Sequence, residues 1–210
     1  SPALWIDAMD GTISTIEVKG GTFLASIDGS IGGGVAGSIS ADSSYINRLR
    51  NHTAETDPDL DLVVVQLSTN DSKGQCETGV VSDSFDPATF DEVTTTGALE
   101  AIIAYAKETW GARVLVITGT YFEDEMTYSG GQNAEIYKTM IERCHELDEK
   151  WGDDFTVLDL WHNDAMYENV KTGDALWRSY MSDAIHPTKK GYLEWWGPYI
   201  EAQLYEMLAD

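Results

Sequence analysis

Cysteine is scarce in this sequence. There are two in 210 residues, Cys76 and Cys144, too few for a disulfide framework. Cys144 falls in a helical run, where a buried or half-buried thiol is expected, and Cys76 falls in the loop after Asn70. Histidine is nearly as rare. The four, at positions 52, 145, 162 and 186, show no metal-ligand spacing, so no metal site is expected. Basic residues are few against acidic ones, 13 Lys and Arg to 36 Asp and Glu, for a net charge of −23. That balance excludes nucleic acid and anionic membrane surfaces as partners. It also repels acidic polymers and leaves neutral or acylated small molecules. Most of the surplus is expected on a solvated surface. No apolar run approaches the ~18 residues of a membrane span. No signal-peptide pattern is visible, and a processed chain would show none; secreted and cytoplasmic settings both stay open, as does the oligomeric state. The glycines after Asp28 do not follow the phosphate-cradling G-x-x-x-x-G-K-[ST] spacing, which argues against a nucleotide binder. No repeat recurs at a fixed period.

The apolar share, 42%, supports an ordinary core, and the length fits a single domain over residues 1–210. Pro2–Met9 reads as a short helix, Thr12–Val18 as a β-branched strand, Lys19-Gly20-Gly21 as a turn, and Thr22–Ile27 as a second short strand or a loop. Residues 28–44 are a Gly/Ser-rich loop, either beside a ligand site or without a role. Ser44–Arg50 begins a helix, with Ser43 or Ser44 as N-cap.

Asp61–Asn70 carries five apolar residues among six, the pattern of a strand covered on both faces in a parallel sheet. Residues 72–90 read as a long polar loop, and Phe90–Trp110 as a helix that Gly111 closes. Arg113–Tyr121 reads as a second doubly buried strand, Ala134–Trp151 as an amphipathic helix, and Phe155–Trp161 as a strand with Val157 and Leu158 inward. Met166–Arg178 is irregular or helical, and Tyr192–Leu208 is a terminal helix. The β-α-β-α-β-α alternation from residue 60 predicts a doubly wound α/β layer structure, with Val63–Leu67, Val114–Thr118 and Thr156–Leu160 adjacent and parallel.

Two stretches carry chemistry. In Asp183-Ala184-Ile185-His186-Pro187, an Asp three residues before a His can hold the imidazole in one tautomer. The His can then take a proton from a hydroxyl nucleophile, while the Pro blocks helix at that point. In Ser68-Thr69-Asn70-Asp71, the Asn ends a strand on the side where parallel sheets bind ligands, and its amide can donate to an oxyanion. Asp71 either orients that loop or caps a turn. Trp195-Trp196 is an aromatic wall or core packing. Trp161-His162-Asn163-Asp164 is placed to line a pocket, but it is the weaker acid–base candidate, because no acidic partner sits in a comparable turn.

Together these motifs resemble the SGNH/GDSL hydrolases, serine esterases on a flavodoxin-like three-layer α/β/α fold. Ser68-Thr69-Asn70-Asp71 looks like the family's third block, G-x-N-D, with Ser68 in place of the Gly, and Asp183 to Pro187 looks like its fifth, D-x-x-H-P. The resemblance runs over roughly residues 15–205 in element order. It implies a Ser-His-Asp triad with His186 as base and Asp183 as its orienting partner, and an oxyanion hole containing Asn70. It implies no cofactor, and ester substrates, acetylated carbohydrates among them.

The nucleophile has two readings. In one, Asp28-Gly29-Ser30-Ile31 is a scrambled G-D-S first block and Ser30 attacks, although only 40 positions separate Ser30 from Asn70. In the other, Gly21 in Lys19-Gly20-Gly21-Thr22 is the second-block oxyanion Gly, or Gly29 is, and the Ser lies upstream of residue 1. From a different class stands a carbohydrate-binding or degenerate module that kept the fold and lost its nucleophile.

Overall fold

Three strands form the described sheet, β1 (Leu62–Gln66), β2 (Arg113–Ile117) and β3 (Phe155–Leu158), parallel and hydrogen-bonded in that order. The adjacency expected from their apolar runs is therefore found. The structure is a computed structural model that describes residues 23–25, 44–74, 76–122, 132–172, 175–183 and 185–208. The expected Pro2–Met9 helix, the Thr12–Val18 strand, most of Thr22–Ile27 and the Gly/Ser-rich loop up to Ser44 lie outside these residues. The chain divides into two units, Glu17–Val116 with Gly131–Val157, and Ser1–Ile16 with Ile117–Gly130 and Leu158–Asp210.

In the first unit the central strand β2 is the most enclosed, with Val114, Leu115 and Val116 fully buried. β1 is less covered than its composition predicts. Leu62, Val63 and Val64 are half-buried and only Val65 is buried; β1, like β3, has β2 as its neighbour in the described sheet. All three strands end one or two residues earlier than expected, at Gln66, Ile117 and Leu158.

Helix α1 (Tyr45–Leu49) follows Ser44 at the N-cap position. The Ser44 hydroxyl makes no cap bond; its backbone instead bridges to Phe23, and Tyr45 N–H donates to Phe23 O at 2.9 Å. Helix α2 (Thr69–Lys73) begins where the first strand was expected to run on to Asn70.

Helix α3 (Thr95–Trp110) begins five residues later than its apolar pattern suggested, where Thr94 Oγ1 accepts from Gly97 N–H at 3.1 Å. It ends at Gly111, whose φ of 68° lets Gly111 N–H reach Lys107 O and Ala112 N–H reach Ala106 O. α3 is apolar nearly all round and is interior along most of its length. Helix α4 (Ala134–Trp151) matches its predicted span, with Asn133 as its cap.

A buried ion pair fixes the long segment before α3. Lys150 Nζ donates to Glu100 Oε1 at 2.5 Å, Ser82 O at 2.7 Å and Ser84 O at 2.6 Å, which uses all three of its donors. Glu100 Oε2 accepts from Ser82 N–H at 3.0 Å. The rings of Phe85, Phe90 and Trp151 surround the ammonium at 4.9–5.4 Å. Side-chain exposure is 12% for Lys150 and 1% for Glu100, so the pair is largely withdrawn from water.

In the second unit, helices α5 (Asp164–Thr172) and α6 (Ala175–Tyr180) occupy the stretch that read as irregular or helical. A wide π-type turn, Gly191–Trp196, leads into α7 (Gly197–Leu208). The widening has a cause in Pro198, which lacks an N–H for the carbonyl four residues back and whose ring would crowd it. Gly191 is required by close packing, since a Cβ there would lie 2.0 Å from Tyr180 O. Trp195 and Trp196 are buried, and Trp195 stacks on Tyr180 with ring centroids 5.6 Å apart. They are core, not an exposed aromatic wall.

Replacing Lys150 by Met leaves the Glu100 carboxylate buried without its cation, and is expected to lower unfolding free energy by about 3 kcal/mol in urea titrations. The double variant Lys150→Met, Glu100→Leu should recover part of that loss. Equal loss in both would show that the charge pair is not what holds the segment.

Candidate active site

The Asp183 turn is defined by its own backbone. Met181 and Pro187 form an antiparallel bridge, and Ser182 donates to His186 O through both its N–H and its hydroxyl, each at 2.8 Å. Inside this closure Asp183 Oδ1 accepts from Ile185 N–H at 2.8 Å and from His186 N–H at 2.7 Å, and Oδ2 lies 2.8 Å from His186 Nδ1. An ionised carboxylate only accepts, so Nδ1 carries the proton and Nε2 is left with its lone pair. Ile185 and Pro187 are buried on either side, and the His186 side chain projects outward, 69% exposed. Burial raises the Asp183 pKa, but the bonds from the His186 ring, His186 N–H and Ile185 N–H, with the imidazole's charge, outweigh it and hold the pKa below the ordinary carboxylate value.

A second turn of the same construction was not foreseen. Asp159-Leu160-Trp161-His162 is also D-x-x-H. Asp159 Oδ1 accepts from Trp161 N–H at 3.0 Å and His162 N–H at 3.1 Å, and Oδ2 lies 2.7 Å from His162 Nδ1. The expectation that His162 lacks an acidic partner in a comparable turn is thus wrong. The partner precedes it by the same three residues, and the spacing was present in the sequence. Thr118, fully buried just past β2, reinforces this turn. Its Oγ1 accepts from Leu160 N–H at 2.8 Å and Trp161 N–H at 3.1 Å, and its own N–H donates to Leu158 O.

His52 pairs with Asp57 at 2.8 Å, with its side chain 19% exposed. Tyr105 donates to His52 O and Trp110 to Asp57 O, so this pair is spent on tying the segment after α1 to α3.

Asn70 lies in the first turn of α2, half-buried, at the carboxyl end of β1. Its neighbour Asp71 is fully buried. Asp71 Oδ2 accepts from Leu24 N–H at 2.9 Å and Oδ1 from Ala25 N–H at 3.0 Å. Burial raises its pKa to about 6 against hydrogen bonds from the Ser68 side chain and from the backbone at Ala25, Leu24 and Asp71, which lower it. The Cys76 thiol is pushed up to about 12, first by burial, then by the charge of Asp71 and a hydrogen bond to it. A thiol so held is not a nucleophile near neutral pH. Both cysteines are free and buried. Ser30, Gly21 and Gly29 lie outside the described residues.

Residues 24–193 match the model of the GDSL-like Lipase/Acylhydrolase family. The chain belongs to this family. No curated protein matches it. Among solved structures, a Bacteroides uniformis protein assigned as a GDSL-like lipase is similar, with a TM-score of 0.55 and 18% identity over 99% of this chain and 74% of that one. At that identity the likeness speaks for the fold, which is the three-layer α/β/α class that the element order predicted. Family membership makes an esterase- or lipase-type hydrolase the activity class. The span that matches the GDSL family includes Ser30, Asn70, Asp183 and His186, and begins after Gly21.

Asp71 generates a pH prediction. Its folded pKa of about 6 exceeds the unfolded value near 4, so the folded chain holds the proton more tightly. The stability contributed by Asp71 therefore falls as pH rises from about 4 to about 6. Asp71→Asn sets an amide N–H against one of the two backbone donors and is expected to cost on the order of 2–3 kcal/mol. The gap between native and variant should narrow between pH 4 and 6 in urea melts; a gap that widens there would contradict the assignment.

Proposed function

We propose that the chain is a serine ester hydrolase with a Ser-His-Asp triad, in which His186 is the base and Asp183 its orienting partner. The observation that carries this is the 2.8 Å pairing of Asp183 Oδ2 with His186 Nδ1, which leaves Nε2 as a proton acceptor on an exposed ring. A Ser hydroxyl attacks the ester carbonyl as His186 Nε2 takes its proton. The imidazolium returns that proton to the departing alcohol, and a water repeats the cycle to release the acid. Asn70 donates its side-chain amide to the oxyanion, with a backbone N–H of Gly21 or Gly29 as the second donor. The nucleophile is Ser30 or a Ser upstream of residue 1. Substrates are esters of neutral alcohols, acetylated carbohydrates among them, in keeping with the net charge of −23. No cofactor takes part.

A fluorophosphonate probe is expected to label one Ser, and peptide mapping identifies it. Absence of labelling would instead support the non-catalytic, degenerate module. His186→Ala should lower kcat for a model ester by at least about 10³-fold with the fold intact by circular dichroism, and Asp183→Asn by as much or less. Unchanged turnover in His186→Ala would remove His186 from the chemistry. Asn70→Ala should lower kcat by about 10²–10³-fold with KM little changed; a raised KM with unchanged kcat would make Asn70 a binding residue.

A further inference from the structure

The backbone around Asn70 is tied at one carbonyl after another. Leu67 O accepts from the buried Tyr137 hydroxyl at 3.4 Å, and Thr69 O from Ser72 Oγ at 2.8 Å. Asn70 O accepts from Gly74 N–H at 2.7 Å, and Asp71 O from Cys76 N–H at 2.9 Å. Backbone held at this many points keeps its side chains in place. The Asp71 carboxylate, fully buried, lies at the centre. The Ser68 hydroxyl and the Cys76 thiol both hydrogen-bond to it, so it clasps the turn from before Asn70 to after it. Ser68 stands where the G-x-N-D block has Gly, a residue with no side chain to offer.

The same carboxylate grips a distant segment. Oδ2 accepts from Leu24 N–H at 2.9 Å and Oδ1 from Ala25 N–H at 3.0 Å. That segment is anchored on its other side as well. Phe23 bridges Ser44 in parallel register, and Phe23 O accepts from Tyr45 N–H at 2.9 Å. Phe23, Leu24 and Ala25 are wholly buried. In sequence, Gly21 lies three residues before Leu24 and Gly29 four residues after Ala25. Both candidates for the backbone donor of the oxyanion hole therefore flank the segment that Asp71 holds. Both Asp71 oxygens are occupied by the protein's own donors, so Asp71 acts through other groups and not on the substrate.

We propose that Asp71, fastened to the Asn70 turn by the Ser68 hydroxyl, is the positioning residue of the oxyanion hole: it fixes the Asn70 amide against the backbone donor that adjoins residues 23–25. The proposal rests on the esterase reading for its purpose. An oxyanion hole is effective when its donors are in place before charge develops. A displacement of about 1 Å can cost on the order of 10²-fold in rate. A carboxylate suits the task because its two oxygens accept from both segments at once and donate to neither.

The test is a double-mutant cycle on kcat for p-nitrophenyl acetate. It uses native protein, Asp71→Asn, Asn70→Ala and the double variant, each assayed below its melting temperature. Asp71→Asn is expected to lower kcat about tenfold with KM little changed. In the Asn70→Ala background the same substitution should cost less than about threefold, because the donor it positions is already gone. Losses that multiply would assign Asp71 to fold stability alone and overturn the proposal, as would an unchanged kcat in folded Asp71→Asn. If Asp71→Asn does not fold, Ser68→Ala takes its place in the cycle, since it leaves the Leu24 and Ala25 bonds intact. A loss of kcat that vanishes in the Asn70→Ala background then supports the proposal, and an unchanged kcat overturns it. Amide hydrogen exchange reads the grip without turnover. Leu24 and Ala25 N–H should exchange slowly in native protein, and free exchange there overturns the proposal. Native protein that turns over no ester ends the esterase reading and with it the purpose given to Asp71. A failed cycle in an active native protein ends this proposal alone.

Discussion

An ionised carboxylate offers several acceptor sites and no donor, and this chain uses that asymmetry to shape its own backbone. Asp183 and Asp159 each gather two successive N–H groups on one oxygen and an imidazole on the other. Asp71 takes Leu24 and Ala25 N–H on its two oxygens. In each case the carboxylate pairs backbone donors away from helix and sheet, where an unmet N–H costs on the order of 1–3 kcal/mol when buried. The acidic surplus is therefore not only a solvated coat. A few of its members brace the backbone of irregular segments.

The same interaction explains the contrast between the histidines. At positions 162 and 186 the carboxylate lies three residues earlier, so one residue both closes the turn and sets the tautomer, and the ring faces outward. At position 52 the partner comes five residues later and other side chains cover the pair. One Asp–His contact distance thus serves two ends: support of a loop when enclosed, and presentation of Nε2 when exposed. Cys76 marks the opposite case, a group that burial and the Asp71 charge keep protonated and inert.

Rigidity elsewhere comes from a different balance. The Lys150–Glu100 pair is largely withdrawn from solvent, and three rings and two carbonyls complete its shell. Such a pair contributes little net stability over an apolar substitute but strongly penalises any arrangement that separates it. It thereby selects one path for the residues between α2 and α3, a stretch with little regular structure of its own.

Much of this was legible in the residues. The three apolar runs determined three adjacent parallel strands, because β-branched side chains repeated that densely suit a covered sheet. The span of α4 followed from its periodicity, and Asp183 with His186 followed from a local three-residue spacing that needs nothing beyond its own turn. The Asp159–His162 turn was equally local. It was hidden only because the strand prediction extended through Trp161, while the chain leaves the sheet after Leu158 to meet Thr118 Oγ1. Tertiary structure alone decided the rest. That Asp71 would hold Leu24 and Ala25, 47 and 46 residues away, that Lys150 would reach Glu100 and the carbonyls of Ser82 and Ser84, and that β1 would be less buried than β2 all depend on which segments fold against each other. Pairings of that range have no spacing to betray them in the sequence, because a charge finds its partner by exclusion of water and not by position along the chain.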